Sequence, residues 1–356
     1  MVIKVAVAGV GNCCSSVIQG VEYYGLMKDA KFIPGIMHPV LGKYRIKDIK
    51  FVAAFDVNKN KVGKDLAHAI RAPPNCTWEI SNVKKKGVIV QKSQVLDGIG
   101  EQLSKKVPVD PRQKPIDVAK ALKEADADML INYLPVGSAK ASRYFAGECL
   151  KAGCGFINAI PEFIASTPEW AGKFKKAGIP VAGDDIKSQI GATIIHRMLA
   201  ELIVKRGGVI DESYQLNVGG NTDFLNMLEQ SRLTSKRISK TEAVSSLIPY
   251  NVPMRVGPSD YVEFLGDKKV CHIYISGKKF GNAPFKIDLK LQVEDSPDSA
   301  GVMVDAIRCV KIALDRGIAG PLESISSYFF KHPPKQFTDS VCYQKVEDFI
   351  AAKVDR

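Results

Sequence analysis

The chain has 356 residues, of which 46% are hydrophobic and 25% are charged, and its formal net charge is +12. This composition is typical of a folded globular protein and excludes a disordered chain, a collagen-like repeat and a coiled coil. The apolar stretches fall short of the roughly 20 residues that span a bilayer, so we expect no membrane segment. At about 150 residues per domain, the length predicts two domains.

The apolar run at the start, MVIKVAVAGVGN, is too short for a signal peptide. The eight cysteines include no C-x-x-C pair and no zinc spacing. We therefore expect a cytoplasmic protein with reduced thiols. The basic residues are dispersed along the chain, so nucleic-acid binding ranks last, whereas a positive field suits small phosphorylated substrates.

Strands and helices alternate through the first half of the chain. Buried strands are predicted at 2–8, 50–56, 87–91, 127–133, 154–159 and 179–183, and helices at 12–27, 57–69, 115–125, 138–152 and 167–177. A long loop is predicted at 28–48. The alternation predicts an α/β fold with a Rossmann-like, doubly wound parallel sheet.

The pattern changes after a predicted helix at 187–206. Strands are predicted at 213–218, 260–265, 270–276 and 284–293, then a helix at 299–315 and a tail at 320–356 that ends in an amphipathic helix. The strand at 284–293 alternates apolar and polar residues strictly. Such alternation is typical of an antiparallel sheet with one covered face, and hence of a second, α+β domain.

Gly9, Gly11 and Asn12 stand between the first strand and the first helix. Glycines here allow a tight turn and close approach of a pyrophosphate to the helix N-terminus. Asp56 ends the second strand, where a carboxylate accepts the ribose hydroxyls of NAD and repels the 2′-phosphate of NADP. We therefore predict NAD binding, with a ligand-free tight turn as the alternative.

Three further segments combine chemistry-bearing residues. The segment GDDIKSQ at 183–189 follows a predicted strand and brings two carboxylates, an amine and a hydroxyl to the edge where ligands bind. The alternative is that an Asp simply caps the following helix. The segment NVGGNTDFLN at 217–226 combines several amides and a carboxylate with apolar residues, which suits recognition of a polyol. The alternative is an ordinary turn. Lys236 and Lys240 are four residues apart, so on a helix they share one face. This face could bind a phosphate, or it could be an ordinary solvated helix face.

These blocks, with FDVNKNKVG, NYLPVGS, SKRISK, EDSPDSAGVMVDA and SSYFFKHPP, resemble the shorter prokaryotic branch of the myo-inositol-1-phosphate synthase family over nearly the whole chain. The resemblance implies an isomerase of inositol biosynthesis that converts D-glucose 6-phosphate to 1D-myo-inositol 3-phosphate. In that family a tightly held NAD⁺ oxidises C5, the resulting ketone acidifies C6, the C6 carbanion attacks the C1 aldehyde, and C5 is then reduced again.

The resemblance also implies site residues. It places Lys236, Lys240, Lys331 and a fourth lysine in the active site, and for the fourth we choose Lys269 over its neighbours Lys268 and Lys278. Lys331 would relay the C5 hydroxyl proton and Lys236 would hold the C5 oxygen, while Lys240 and Lys269 would hold the phosphate and the C1 oxygen. The remaining matched positions are Asp65, Asp185, Ser188, Asp223 and Lys236 near the cofactor, and Ser188, Gln189, Asn221 and Lys240 near the substrate.

The family architecture implies an NAD-binding domain at 1–196, completed by the tail 311–356, and a catalytic and tetramerisation domain at 197–310. Family members use either a divalent metal or a monovalent cation, and Asp185 or Asp223 offers oxygen ligands for the former. Two alternatives remain: a conventional NAD-dependent sugar-phosphate or amino-acid dehydrogenase, and a non-catalytic NAD-binding regulator. Fold analogy alone does not exclude either.

Overall fold

A computed structural model describes residues 1–28 and 30–356. Asp29, which falls in the predicted loop at 28–48, lies outside the described residues. The strands are β1 Ile3–Ala8, β2 Val40–Leu41, β3 Tyr44–Arg45, β4 Ile49–Asp56, β5 Val90–Lys92, β6 Met129–Asn132, β7 Gly155–Asn158, β8 Pro180–Gly183, β9 Val209–Gly219, β10 Met254–Tyr261, β11 Lys268–Lys278, β12 Pro284–Glu294 and β13 Gly320–Pro321.

The helices follow the strands in the alternation that the sequence predicts. They are α1 Asn12–Gly25, α2 Leu66–Ala69, α3 Glu101–Ser104, α4 Val118–Glu124, α5 Ala139–Ala152, α6 Pro168–Ala177, α7 Ala192–Lys205, α8 Thr222–Asn226, α9 Thr234–Ser245, α10 Asp295–Asp315, α11 Glu323–Phe329 and α12 Asp339–Ile350.

Seven parallel strands form the larger sheet, in the order β13-β8-β7-β6-β1-β4-β5. Successive side chains of β1 point to opposite faces, so Val5 and Val7 pack with α1 and α10 while Ala6 and Ala8 pack with α4 and α5. The strand order reverses between β1 and β6. In such sheets ligands bind outside the carboxyl ends of the strands at this switch point. The predicted doubly wound α/β fold is confirmed.

The second sheet has the order β10-β9-β11-β12 and is mixed, since β9 and β10 are parallel while the other pairs are antiparallel. The chain passes through α8 and α9 between β9 and β10, and a crossover of this kind permits parallel pairing. The strand predicted at 260–265 is wrong in position. Strand β10 spans Met254–Tyr261, and Glu263–Leu265 form a 3₁₀ turn. The alternating strand at 284–293 is confirmed as β12.

Two predicted helices begin late. Residues 57–64 form turns, because Asp56 binds the two following backbone N–H groups and Gly63 adopts a φ of +82°. Residues 188–191 stay outside α7, because Asp298 accepts the backbone N–H groups of Gln189 and Ile190.

Helix α10 sets the boundary between the two sheets. Its apolar residues, including Met303 and Ile307, lie in the same core cluster as β1. Residues 295–310 therefore pack in the core that contains β1, whereas the second domain was expected to extend to residue 310. The tail returns to this core through Phe329, which is also part of the cluster.

Candidate active site

The turn after β1 contains two glycines with different surroundings. Only glycine fits at position 9, whereas position 11 faces empty space. Gly9 has a φ of +91°, and a Cβ there would lie 2.6 Å from the Tyr133 carbonyl oxygen, so only glycine fits. A Cβ at Gly11 would meet nothing within 4 Å. Gly11 is also the N-cap of α1, where no side chain caps the helix. The first N–H groups of a 14-residue helix therefore face the cleft with their positive dipole end.

Asp56 fixes the second side of this turn. Its Oδ2 accepts the Val10 backbone N–H at 2.8 Å, and its Oδ1 accepts those of Val57 and Asn58 at 2.7 and 2.9 Å. The carboxylate thus lies at the end of β4, directly beside the glycine turn, and lines a cavity with Gly9 and Gly11. This is the position from which an acidic residue recognises a ribose.

Sequence reasoning missed Lys61 in this cavity. Its ammonium donates to the Val10 carbonyl at 2.6 Å and to Asn75 Oδ1 at 2.8 Å, and the residue is 4% exposed. Lys61 is part of the block FDVNKNKVG, but nothing in that spacing distinguishes it from the neighbouring lysine. Asn12 lies nearby, and its side chain holds the backbone N–H of Cys76 at 2.8 Å.

Asp65, expected near the cofactor, lines neither large cavity. Its carboxylate caps helix α2 by accepting the Ala67 N–H at 2.9 Å, and it also accepts the N–H groups of Lys86 and Gly87 at 3.1 and 2.7 Å. Asp65 therefore orders the connection between α2 and β5, and unlike Asp56 its carboxylate lies outside both cavities.

Two cavities meet at the switch point of the parallel sheet. The cavity beside Asp56 has a volume of about 770 Å³ and the other cavity about 1270 Å³. Both volumes include the solvent-filled space at the cavity entrance. Gly11, Tyr133 and Pro135 belong to the walls of both. An elongated ligand can therefore run from the first cavity past the glycine turn into the second.

Four lysines converge on the larger cavity from three elements. Lys236 and Lys240 lie one turn apart on α9, Lys269 lies on β11, and Lys331 follows α11. The side chains of Lys236, Lys269 and Lys331 are each 12% exposed, and Lys240 as a residue is 7% exposed. The structure thus brings together the four lysines that the resemblance selects.

The structure also distinguishes the candidates for the fourth lysine. Lys269 points into the cavity and forms an ion pair with Asp295. Lys268 is exposed, and Lys278 stands at the far end of β11, 3.5 Å from Asp211. Alternation along a strand explains the difference, because neighbouring side chains point to opposite faces.

Two of the lysines are paired with acids named from the sequence. Lys236 lies 3.1 Å from Asp223, and Lys331 lies 2.8 Å from Asp185 and 2.6 Å from the Ile186 carbonyl. Burial alone would lower the pKa of Lys236, but the carboxylates of Asp223 and Asp185 raise it above its usual value. For Lys331 burial prevails over the attraction of Asp185, so its pKa is lowered.

Lys240 differs from the other three lysines. Within the described part of the chain it forms no ion pair, and it faces three other cations. Burial, followed by the charges of Lys236, Lys331 and Lys269, lowers the pKa of Lys240 to about 7. A buried amine of this kind exchanges protons near neutral pH.

The N-terminus of α7 also lines this cavity. Gly191, Ala192 and Thr193 line the cavity with Ser188, and no side chain caps this 14-residue helix. Its free N–H groups and positive dipole end suit an anion such as a phosphate. The lysines and this helix end therefore face one volume.

Two residues expected at the substrate are committed elsewhere. Gln189 donates to the Gly35 carbonyl at 3.0 Å and packs against Gly301, so its side chain does not line the cavity. Asn221 does line it, but its Oδ1 accepts the N–H of Asp223 at 3.0 Å, and its Nδ2 donates to Asp267 at 3.0 Å. Asn221 therefore holds the backbone of Asp223 in place, and the Gln189 side chain, expected at the substrate, lies outside this cavity.

The described residues contain neither a metal cluster nor a membrane-spanning helix. Across 1–28 and 30–356, no group of three or more His, Cys, Asp or Glu side chains could hold a metal ion. No helix in the same part of the chain is long and apolar enough to cross a membrane.

The fold and the cleft together define an α/β protein of the dinucleotide-binding class with a lysine-rich second cavity. A sequence profile of myo-inositol-1-phosphate synthases matches residues 191–296. The inositol-3-phosphate synthases of Mycolicibacterium smegmatis and Corynebacterium glutamicum are each 50% identical to the chain, over 98% of both proteins. The crystal structure of a myo-inositol-1-phosphate synthase-related protein from Thermotoga maritima superposes with a TM-score of 0.81 over 99% of each chain at 24% identity, which supports the fold.

Identity at this level over nearly the whole length shows the family. The chain belongs to the inositol-3-phosphate synthase family.

Proposed function

We propose that the protein converts D-glucose 6-phosphate to 1D-myo-inositol 3-phosphate with NAD⁺ as a cofactor that is regenerated in each turnover. The observation that carries the proposal is the convergence of four lysines on one cavity that borders the glycine turn. Half of the residues are shared with inositol-3-phosphate synthases of two bacteria, which supports the same chemistry.

The residues of the first cavity fit a dinucleotide. A side chain at Gly11 would fill the space in front of α1, while glycine leaves that space to a pyrophosphate. Asp56 would accept the adenosine ribose hydroxyls and disfavour a 2′-phosphate. When bound, NAD⁺ supplies the acceptor for the C5 hydride and the means of returning it.

The N-terminus of α7 and Lys269 would bind the phosphate group. Helix N–H groups and an ammonium are complementary to a phosphate dianion. Ser188 would add a hydroxyl donor at the same end. This anchoring leaves the sugar carbons facing Lys236, Lys240 and Lys331.

Proton transfers are assigned from the charge states of the lysines. Lys331, with its lowered pKa, would take the C5 hydroxyl proton during oxidation and return it during the final reduction. Lys236, held protonated by Asp223 and Asp185, would stabilise the negative charge on the C5 oxygen of the enolate. Lys240 would take the proton from C6 and deliver it to the C1 oxygen when the C6–C1 bond closes the ring. Protons and hydride then balance without a net oxidant.

Phosphorus NMR of the protein with glucose 6-phosphate and NAD⁺ tests this proposal, with NADH absorbance followed in parallel. An inositol phosphate signal without lasting NADH is expected. Steady NADH accumulation would instead favour a conventional dehydrogenase. NAD binding without turnover would favour a regulator.

We also propose that the protein forms a homotetramer. Ile190, Met198 and Leu202 are 65, 59 and 56% exposed, and Met198 and Leu202 lie one turn apart on α7. Exposed apolar side chains that adjoin on one helix face, as Met198 and Leu202 do, are typical of interaction surfaces. Light scattering of wild type and of Met198→Lys/Leu202→Lys tests the assignment, and an unchanged mass would contradict it.

A further inference from the structure

Asp267 belongs to none of the sequence motifs, yet it joins several parts of the site. It precedes β11 and is 2% exposed. Its Oδ1 accepts the Asn221 amide at 3.0 Å and the Ser296 hydroxyl at 2.9 Å, and its Oδ2 accepts the Ser296 N–H at 3.3 Å. Its carbonyl accepts the Asp295 N–H at 2.9 Å. One residue therefore holds the segments that place both Asp223 and Asp295.

Residues 75–81, which we call the strap, run along helix α1 beside the glycine turn. Hydrogen bonds tie the strap to this turn and to α1. They include Asn75 Nδ2 to the Val10 carbonyl at 3.1 Å, Cys76 N–H to Asn12 Oδ1 at 2.8 Å, Thr77 Oγ1 with Ser16 Oγ at 2.7 Å, and Ile80 N–H to Gln19 Oε1 at 2.8 Å. The Thr77 side chain also lies beside the Asp267 carboxylate and favours its ionised form, which lowers the Asp267 pKa. Asp267 thus connects the strap to the lysine-bearing unit.

The groups facing Asp267 come from every element packed against it. Asp295 lies on α10, Cys13 on α1 and Cys76 on the strap. Burial, followed by repulsion from Asp295, raises the pKa of Asp267 to about 6, against the donors Asn221, Thr77 and Ser296. All of these donors prefer an ionised acceptor. Protonation below this pH removes an acceptor and leaves one donor without a partner.

We propose that Asp267 is a positioning residue that fastens the strap over the cofactor-binding turn to the two lysine–carboxylate pairs, Lys236–Asp223 and Lys269–Asp295. Its ionised form keeps the cofactor in place and both carboxylates aligned. Its neutral form loosens both at once. This inference rests on the proposed function only for the substrate side, because retention of the dinucleotide is measured without turnover.

Asp267→Asn imitates the neutral form at every pH. We expect NAD⁺ to dissociate about ten- to a hundredfold faster than from wild type at pH 8, which is the effect of losing hydrogen bonds to a charged acceptor. We expect kcat to fall more than KM rises. We also expect the further loss of activity near pH 6 to disappear in the variant, while the limb near pH 7 that belongs to Lys240 remains. Glu148→Gln is the matched control, because it also removes a buried carboxylate that accepts a backbone N–H, but on α5 away from both cavities.

The outcomes separate the role of Asp267 from the proposed function. Rapid NAD⁺ loss in Asp267→Asn but not in Glu148→Gln supports the strap even if glucose 6-phosphate is not the substrate. Equal NAD⁺ dissociation rates in the variant and wild type, with the further loss of activity near pH 6 unchanged, would overturn the inference while leaving the isomerase proposal intact. If Asp267→Asn does not fold, the wild-type dissociation rate of NAD⁺ between pH 5 and pH 8 decides, since a strap loosened by protonation requires faster loss at the acid end.

Discussion

Lys236 and Lys240 lie one turn apart on the same helix, and the cavity shifts their pKa values in opposite directions. Asp223 and Asp185 hold Lys236 in its charged form. Lys240 has no ion-pair partner among the described residues, and it receives the repulsion of Lys236 in addition to its own burial. Lys236 therefore supplies a fixed positive charge, and Lys240 supplies an amine that exchanges a proton. An enolisation needs both, a charge to stabilise the enolate oxygen and a base to take the carbon-bound proton.

The first prediction concerns the pH dependence of catalysis. Lys240 must be neutral to accept the C6 proton, and its pKa is lowered to about 7, so kcat/KM should rise as the pH increases through about 7 and then level off. Lys240→Met should reduce kcat by about 10²–10⁴-fold, the usual effect of losing a general acid–base, and abolish this limb. Steady-state rates between pH 5.5 and pH 9 measure both effects.

A second measurement isolates the electrostatic cause. Among the neighbouring charges, that of Lys236 lowers the Lys240 pKa most. In Lys236→Met this charge is absent, so the pKa of Lys240 should rise toward that of an ordinary lysine. Side-chain NMR of ¹⁵N-labelled lysine in both proteins reads this directly. The same Lys240 pKa in wild type and variant would show that Lys236 does not depress it.

Gly9 and Gly11 should respond differently to the same substitution. Gly9→Ala places a Cβ 2.6 Å from the Tyr133 carbonyl oxygen at a φ of +91°, so it should destabilise the fold by about 2 kcal/mol or more. Gly11→Ala has free space, so its unfolding free energy should change by less than about 0.5 kcal/mol. Its NAD⁺ affinity should nevertheless fall at least tenfold, about 1.4 kcal/mol.

Thermal unfolding and calorimetric titration with NAD⁺ distinguish the two glycine variants. Normal NAD⁺ affinity in a folded Gly11→Ala protein would mean that the pyrophosphate does not lie against this turn.

Asp339 should be important for stability although it is remote from the cavity. It lies 2.7 Å from Arg197 and 3.6 Å from Lys187, whose side chains are 0 and 1% exposed. Asp339→Asn leaves two buried cations without their counter-ion, and we expect a loss of about 3–5 kcal/mol. Asp348→Asn, in the more exposed pair with Lys353, is the control and should cost less than about 1 kcal/mol. Chemical denaturation of both variants tests the difference, and equal losses would refute it.

His38 should make stability depend on pH. It hydrogen-bonds Asp305 on α10 and lies 2.7 Å from Glu347 on α12. Burial alone would lower its pKa, but the two carboxylates raise it above the usual value. Because the folded state then binds the proton more tightly than the unfolded state, protonation stabilises the fold. The stabilisation is complete below about pH 6.5, the unfolded value, and is lost as the pH rises through the folded one.

The matched variants for this prediction are His38→Gln and His272→Gln, the latter on an exposed strand position. Unfolding free energies at pH 6 and pH 8.5 should converge between wild type and His38→Gln at the higher pH. A constant difference across this range would mean that His38 does not cause the pH dependence.

The sequence was most informative where a local pattern decides the structure. Strand–helix alternation predicted the parallel sheet, and the spacing of Lys236 and Lys240 on a helix was confirmed by α9. The choice of Lys269 over Lys268 depended on the direction of alternate side chains along β11, which the sequence alone leaves undetermined.

Long-range contacts were beyond local patterns. Asp184 and Asp185 are neighbours, yet Asp184 turns inward to hold Asn158 and Ser166 while Asp185 faces Lys331 in the cavity. Asp267 lies in none of the motifs, and nothing within FDVNKNKVG distinguishes Lys61 from Lys59, because the partners of both Asp267 and Lys61 come from segments distant in the chain. Asp65 illustrates the reverse case, since the resemblance places it near the cofactor but its carboxylate caps α2 outside both cavities.

The most direct test of the central claim uses glucose 6-phosphate carrying deuterium at C5. Internal oxidation and reduction require the C5 hydride to leave and return within one bound cofactor. Mass spectrometry of the product should therefore find inositol phosphate that retains one deuterium, with no label in added NAD⁺. Deuterium lost to the medium or accumulated in free NADH would contradict the internal oxidation and reduction proposed for this cavity.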